Sequence, residues 1–207
     1  MTVMGEKGMG SLEGVILAGG AGRRMGGVAK GLLPFAGAPL IRTISERMAS
    51  RCKTVALVVA TQRQAQELGG LGLPTRLDWL PGSGPLSALH IALLEAQEPL
   101  VWVSACDMPF VSPHAADWMA ERLEASGANA IVPRVSGRLH PLQAIYRPEC
   151  VLHSQSCLAQ EERRMMALLE AVKPCVAEEE ELRRAGIDTS FVTNINTPDD
   201  YARIAPH

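Results

Sequence analysis

The sequence predicts a three-layer α/β/α fold built on a Rossmann-like, mostly parallel sheet. Three observations carry that prediction. Short apolar runs of strand type alternate with helical patterns over about the first 130 residues, the pattern of parallel strands joined by right-handed crossover helices. Within the runs, polar and apolar residues do not alternate, as expected of strands covered on both faces. Finally, several strand ends run into glycine-rich or acidic loops, which is where open α/β sheets bind their ligands.

In chain order, Val15–Leu17 forms the first strand and opens into a loop with five glycines between Gly19 and Gly27. Pro39–Ser50 reads as a helix, with Pro in its first turn and Leu40, Ile41, Ile44 and Met48 at helical spacing. Thr54–Thr61 is a second strand, rich in β-branched and small residues, and Gln62–Leu68 a short polar helix. Thr75–Asp78 is a short third strand, and Trp79–Pro85 is loop by its Pro and Gly content. Helical periodicity resumes over Leu86–Ala96, and Leu100–Ala105 is a fourth strand leading into Cys106-Asp-Met-Pro109. Ser112-Pro113 is a helix start, with Ser as N-cap and Pro at the first position, and the helix runs to about Ala125. Ala128–Pro133 is expected as a fifth strand, Arg134–Arg138 as a polar turn and Leu142–Tyr146 as a sixth strand. Helical segments follow from Pro148. Val172–Val176 is a candidate strand, Glu178–Arg184 a charged helix, Phe191-Val192 a short strand, and Thr197-Pro198 the cap of a last helix.

The 207 residues fit one domain, placed at 13–207, behind a loose polar tail at 1–12. A hydrophobic fraction of 47% is enough for a full core, and with only 4% aromatics that core must be aliphatic. The net charge of −2 argues against a general binder of nucleic acid or membrane surfaces, so any phosphate-binding charge must be local. No apolar run approaches a membrane span, and the N-terminus lacks the apolar core of an export signal. Five scattered cysteines without a Cys-x-x-Cys motif disfavour disulfides and zinc. A cytoplasmic enzyme is the expectation.

The glycine loop carries Arg23 and Arg24 and ends at Lys30. Glycine lets a ligand approach the backbone, successive N–H groups face anionic oxygens, and the cations neutralise what remains. Two familiar phosphate loops fail on detail. A P-loop needs a hydroxyl after its Lys, and Gly31 stands there. The dinucleotide fingerprint would place Met25 at its third glycine. Asp107, at a strand end and not needed as the next helix cap, is a candidate Mg²⁺ ligand, since that ion takes one or two carboxylates together with substrate phosphates. Asp78 is balanced between a turn residue and a ligand contact. Asn194 and Asn196, two apart on an extended segment, face one side and either cap the next helix or reach phosphates and metal-bound water. His140 reads as a structural hydrogen-bonder rather than a ligand.

Taken together these residues resemble the molybdenum cofactor guanylyltransferases, relatives of the sugar-phosphate nucleotidyltransferases. The resemblance rests on Leu17-Ala-Gly-Gly-Ala-Gly-Arg-Arg-Met-Gly26 with Lys30-Gly-Leu-Leu33, on Gly37-Ala-Pro-Leu40, and on Asp78 with Gly84-Pro-Leu86. It continues through Cys106-Asp-Met-Pro109, His140-Pro141, Glu162-Arg-Arg-Met165 and Asn194-Ile-Asn-Thr-Pro198. It implies a fold of the nucleotide-diphospho-sugar transferase type. It further implies that Leu17, Ala18, Gly19, Gly20 and Gly22 hold the guanine nucleotide, with Lys30 and Arg24 on its phosphates. Asp78 contacts the nucleotide, Asp107 binds Mg²⁺ and GTP, and Asn194 and Asn196 line the site. Arg23, Lys30 and Asp107 are the implied catalytic residues.

One departure concerns the end of the second strand. The family often carries an Asn there, and this chain reads Val59-Ala-Thr-Gln62, so Thr61 or Gln62 substitutes or the base contact is altered. The implied reaction moves GMP from GTP to the terminal phosphate of molybdopterin and expels pyrophosphate, with cofactor-delivery and acceptor proteins as possible further partners. A cytidylyltransferase on the same cofactor, a sugar-phosphate nucleotidyltransferase and a non-catalytic nucleotide-binding regulator are the rival readings. Intact Lys30 and Asp107 disfavour the last.

Overall fold

The computed structural model describes residues 11–19 and 30–204. Gly20, Gly22, Arg23 and Arg24 therefore lie outside the described residues, as does most of the expected N-terminal tail. The first strand, β1 (Leu12–Leu17), begins at the last residue assigned to that tail, and Leu12 is fully buried. A 3₁₀ turn (Lys30–Leu32) and a small hairpin of β2 (Pro34–Phe35) and β3 (Ala38–Pro39) lead into helix α1 (Leu40–Ala49). Then follow β4 (Thr54–Val59), α2 (Gln62–Leu68), β5 (Thr75–Leu77), α3 (Pro85–Leu94) and β6 (Leu100–Ala105). After α4 (Pro113–Ser126) come β7 (Ala130–Val135), β8 (Arg138–Leu139) and β9 (Gln143–Tyr146). The chain closes with α5 (Val151–Ala159), α6 (Met165–Val172), β10 (Cys175–Glu178), α7 (Glu179–Arg184) and α8 (Pro198–Ile204).

The main sheet has the order β10-β7-β9-β6-β1-β4-β5, with β8 added to β7. β1 pairs in parallel with β4 and β6, β4 with β5, and β7 with β10. Within this sheet only β9, which runs against both β6 and β7, and β8 are antiparallel among the described strands. Alternate strand residues feed two cores. Leu12, Ile16 and Leu57 join α1, α2, α4 and α7 on one face. Val15, Leu17, Val58 and Val103 join α3, α5 and α6 on the other. The three layers expected from the sequence are present.

Several expected boundaries move, each for a local reason. Gly127 closes α4 in the left-handed conformation, so the fifth strand starts at Ala130 rather than Ala128. It also runs on through Arg134 and Val135, which pair with Leu139 and Arg138. The expected polar turn is therefore a hairpin tip of two residues, Ser136 and Gly137, both at positive φ. The candidate strand over Val172–Val176 is split. Val172 ends α6, Lys173 caps it at φ 50°, and the strand begins beyond Pro174. The short strand expected at Phe191-Val192 is instead a 3₁₀ turn (Thr189–Val192), capped by Asp188, which accepts from the Ser190 N–H.

One buried ion pair anchors β1 to the sheet edge. Glu13, 1% exposed, accepts from the Arg76 guanidinium and, at 2.7 Å, from the Gln97 N–H. Removing one partner of such a pair strands a charge in the interior, at a cost of about 3–5 kcal/mol. Arg76→Met is expected to lower the urea midpoint accordingly. The double variant Glu13→Gln, Arg76→Met is expected to lose less than the single one, since no unpaired charge remains.

Candidate active site

Because β1, β4, β5, β6 and β7 all run the same way, their carboxyl ends share one edge. Onto it project Gly19 after β1, Asp78 after β5 and Asp107 after β6. The backbone pairing extends past the strands themselves. The Ala18 N–H donates to the Val58 carbonyl at 2.8 Å and that of Cys106 to Leu17 at 3.1 Å. Asp107 is thereby held beside the last residues of β1.

The segment that carries Lys30 is fixed from several directions. Gly31 is buried, and a Cβ there would lie 3.2 Å from the Ile41 Cβ, so a larger residue would press the 3₁₀ turn away from α1. Leu40 N–H donates to the Leu33 carbonyl at 2.8 Å. Phe35 meets Phe110 edge to face, 6.0 Å between ring centroids, which ties the Lys30 segment to the stretch just after Asp107. The Tyr201 hydroxyl of α8 donates to the Pro34 carbonyl.

Lys30 Nζ then donates to Asp107 Oδ2 at 2.8 Å and to Asn196 Oδ1 at 3.0 Å. Lys30 and Asp107 keep 19% and 16% side-chain exposure, so the pair is half-sheltered and still reachable. Asn196 arrives because Ile195 N–H donates to the Asp107 carbonyl at 2.8 Å. In addition, one oxygen of Asp200 accepts from the N–H groups of Asn196 and Thr197 at 3.1 and 3.0 Å. Asp200 and Thr197 were not singled out as a pair in the sequence. The signal was available in the reciprocal capping pattern Thr197-x-x-Asp200, which the Asp200 N–H completes by donating to Thr197 Oγ1 at 3.1 Å. Gln143 was also missed. Fully buried, it accepts from Trp102 Nε1 and donates to the Phe191 carbonyl, both at 3.0 Å, and so fastens the segment before Asn196 to the sheet.

The structure thus gathers Lys30, Asp107 and Asn196, while Leu17, Ala18 and Gly19 lie alongside at the end of β1. It does not bring every expected residue to them. Asn194 is exposed and makes no hydrogen bond among the described residues. Asp78 is 8% exposed and spends its carboxylate locally, accepting from the Leu80 N–H at 2.9 Å and the Ser87 hydroxyl at 2.7 Å. Its observed contacts are those of a turn residue. Thr61 caps α2, accepting from the Gln64 N–H at 3.2 Å, while Gln64 Oε1 accepts from the Ala60 N–H at 2.9 Å. His140 lies near the Val135 carbonyl, 3.4 Å from its Nε2, and burial holds its imidazole below the ordinary value. It is a structural residue of the hairpin.

Asp107 and Asn196 are the residues here that could hold a hard cation. Asp107 Oδ2 and Asn196 Oδ1 converge on the one positive atom of Lys30. Among the described residues no cage of three ligating side chains occurs, and Mg²⁺ needs none, being held by one or two carboxylates and completed by phosphate and water. Burial and then the neighbouring carboxylate push the thiol of Cys106, next to Asp107, up to about 12. Burial does the same to Cys52 and Cys150. Since the thiolate is the reactive form, these three are expected to stay silent toward Ellman's reagent at pH 8 in the folded protein and to react once it is denatured.

Residues 14–176 match the family model described as the MobA-like NTP transferase domain. A protein of Pelotomaculum thermopropionicum, named a probable molybdenum cofactor guanylyltransferase, is 38% identical over 192 residues, covering 92% of this chain and 90% of that one. A protein of the same name from Natronomonas pharaonis is 33% identical over 201 residues, covering 94% and 97%. Among solved structures, molybdopterin-guanine dinucleotide biosynthesis protein A from Archaeoglobus fulgidus superposes with a TM-score of 0.82 at 27% identity, covering 93% of this chain and 96% of that one.

Proposed function

This chain belongs to the MobA-like NTP transferase family, and on that premise we propose that it transfers GMP from GTP to the terminal phosphate of molybdenum-molybdopterin. The observation that carries the proposal is the meeting of Lys30, Asp107 and Asn196 at the carboxyl edge of the sheet. Lys30 Nζ is a compact point charge suited to the phosphates of a nucleotide. Asp107, with Asn196 beside it, would hold Mg²⁺. That ion, when bound, neutralises negative charge on the α-phosphate and on the leaving pyrophosphate.

In the reaction an acceptor phosphate oxygen attacks the α-phosphorus of GTP. The new bond joins that oxygen to phosphorus, and the bond from phosphorus to the bridging oxygen breaks. Pyrophosphate departs with the electron pair. The attacking oxygen is already anionic, so no side chain has to remove a proton. What must be overcome is repulsion between two polyanions, and that falls to positioning and fixed positive charge. In this reading Lys30 stabilises the charge that grows on the phosphates, and Arg23 and Arg24 act with it from the glycine loop. Leu17, Ala18 and Gly19, with Gly20 and Gly22, carry the nucleotide; exposed Asn194 reaches it from the rim, and Asp78 does so only by giving up its bonds to Leu80 and Ser87. A cytidylyl transfer is the second reading, left open because Thr61, at the end of β4 where the family often carries an asparagine, spends its hydroxyl on the cap of α2.

Lys30→Ala and Asp107→Ala are each expected to lower pyrophosphate release from GTP and molybdopterin by roughly 10²–10³-fold or more, with urea midpoints near wild type. Asn196→Ala is expected to cost less than either. Titration with GTP, CTP and ATP, with and without Mg²⁺, decides the base: tighter binding of CTP than GTP would replace the guanylyl assignment by the cytidylyl one.

A further inference from the structure

Asn196 meets Lys30 because the Ile195 N–H donates to the Asp107 carbonyl at 2.8 Å. A single hydrogen bond is a pivot. It fixes one point and leaves the chain on either side free to turn or slide. Sliding has a consequence here, since Asn194 and Asn196 stand two apart and extended residues at that spacing face one side. A slip of two residues would put Asn194 where Asn196 accepts from the Lys30 ammonium at 3.0 Å. The other ties of this segment do not prevent it. The bonds from Asp200 to the Asn196 and Thr197 N–H groups lie within the segment and travel with it, and Tyr201 holds Pro34 only beyond both asparagines.

We infer that Gln143 holds the register of this segment and is thereby a positioning residue for nucleotidyl transfer, acting through Asn196. Gln143 opens β9 opposite Ser104 of β6, just before Asp107. Its side chain lies on the same face of β9 as that of Ile145, toward the core that contains Trp102, Ile145 and Phe191. It is fully buried there. A leucine or methionine would suit such surroundings, whereas a buried amide is tolerated only where its polar ends are hydrogen-bonded. Both ends are. Trp102 Nε1 donates to Gln143 Oε1, and Gln143 Nε2 donates to the Phe191 carbonyl, each at 3.0 Å.

The two bonds are not interchangeable. An indole N–H donates and cannot accept, so it turns the amide oxygen toward Trp102 and the amide nitrogen toward the C-terminal segment. That nitrogen in turn requires a carbonyl, and the Phe191 carbonyl supplies it. A shifted segment that presented an N–H instead would set donor against donor in a dry interior, at the full cost of both unpaired groups. With Phe191 tied to the sheet and Ile195 tied to Asp107, the stretch that contains Asn194 is held at both ends, and Asn196 leaves it in one direction. The inference rests on the transfer reading above and adds to it a residue that touches neither substrate nor metal.

The test removes the tether without stranding an indole N–H. In the double variant Trp102→Phe, Gln143→Met neither new side chain asks for a partner, so its melting temperature is expected close to that of Trp102→Phe alone. Hydrogen exchange of the Ile195 amide is expected to be about tenfold faster in the double variant than in Trp102→Phe, with the amides of β1 unchanged. Pyrophosphate release is expected to fall about ten- to a hundredfold in kcat, while the GTP dissociation constant stays at the wild-type value, because the end of β1 carries the nucleotide. Trp102→Phe alone keeps the bond to Phe191 and is expected to keep its turnover. In an Asn196→Ala background the double variant is expected to lower kcat no further, since nothing is left for Gln143 to position.

An Ile195 amide equally protected in the double variant and in Trp102→Phe overturns the inference. So does a kcat that simply follows melting temperature across the set, or one that falls by the same factor with and without Asn196. A wild-type chain that releases no pyrophosphate from GTP overturns the guanylyl reading alone, because the exchange measurement still decides for or against the tether.

Discussion

The rest of the site depends on one contact, the ion pair between Lys30 and Asp107, made across 77 positions of sequence. Neither residue can be placed by its own neighbours in the chain. Asp107 is placed by the parallel register of β6 on β1, which carries on as the Cys106 bond to Leu17. Lys30 is placed by a turn that packs closely on Ile41 of α1 at Gly31. The C-terminal segment adds Asn196, and its own anchors reach back to Asp107 through Ile195 and to Pro34 through Tyr201. First, middle and last parts of the chain therefore close on one point, and the sheet serves as the common ruler.

That arrangement divides the carboxyl edge by charge. On the β1 and β6 side a lysine faces a carboxylate, a balanced pair that a nucleotide's phosphates and a cation can reorganise. On the β7 side Arg138 is exposed, while Arg134 is already paired with Glu178 of β10 at 2.7 Å. β9, antiparallel to both β6 and β7, separates the two halves.

Much of this was legible in the sequence, and the exceptions have physical causes. Ser112-Pro113 announced a helix, and the Ser112 hydroxyl does accept from the Ala115 N–H. β-branched runs announced β4 and β6, because strands buried on both faces leave little choice of residue. Phe191-Val192 misled because apolar β-formers suit a strand, yet Asp188 bonds its own following backbone and winds the chain into a turn. The direction of β9 could not be read, since an apolar run carries no mark of its polarity and the connection through the hairpin decides it. Of the site, Lys30 and Asp107 were legible from their positions at strand ends and turns. That Asn196 would reach them and Asn194 would not was settled by the pairing of Ile195, which lies far outside the local sequence. Asp78 was ambiguous in the sequence because the same carboxylate can serve a turn or a ligand.

The two internal ion pairs show why burial alone does not identify a site. Glu13 and Arg76 are 1% and 10% exposed, and Glu13 adds a backbone donor to its guanidinium, so the carboxylate is already well supplied. Lys30 and Asp107 are of similar chemistry, at 19% and 16% exposure, and the lysine spreads its donors between two oxygens. Forming either pair gains little net stability, because the loss of hydration nearly cancels the attraction. In the first case what remains is a register pin, closed to solvent and expensive to break. In the second, partial exposure leaves the pair open to water, and an incoming phosphate or cation would meet it there at lower cost. Accessibility, more than charge, is what distinguishes the two pairs.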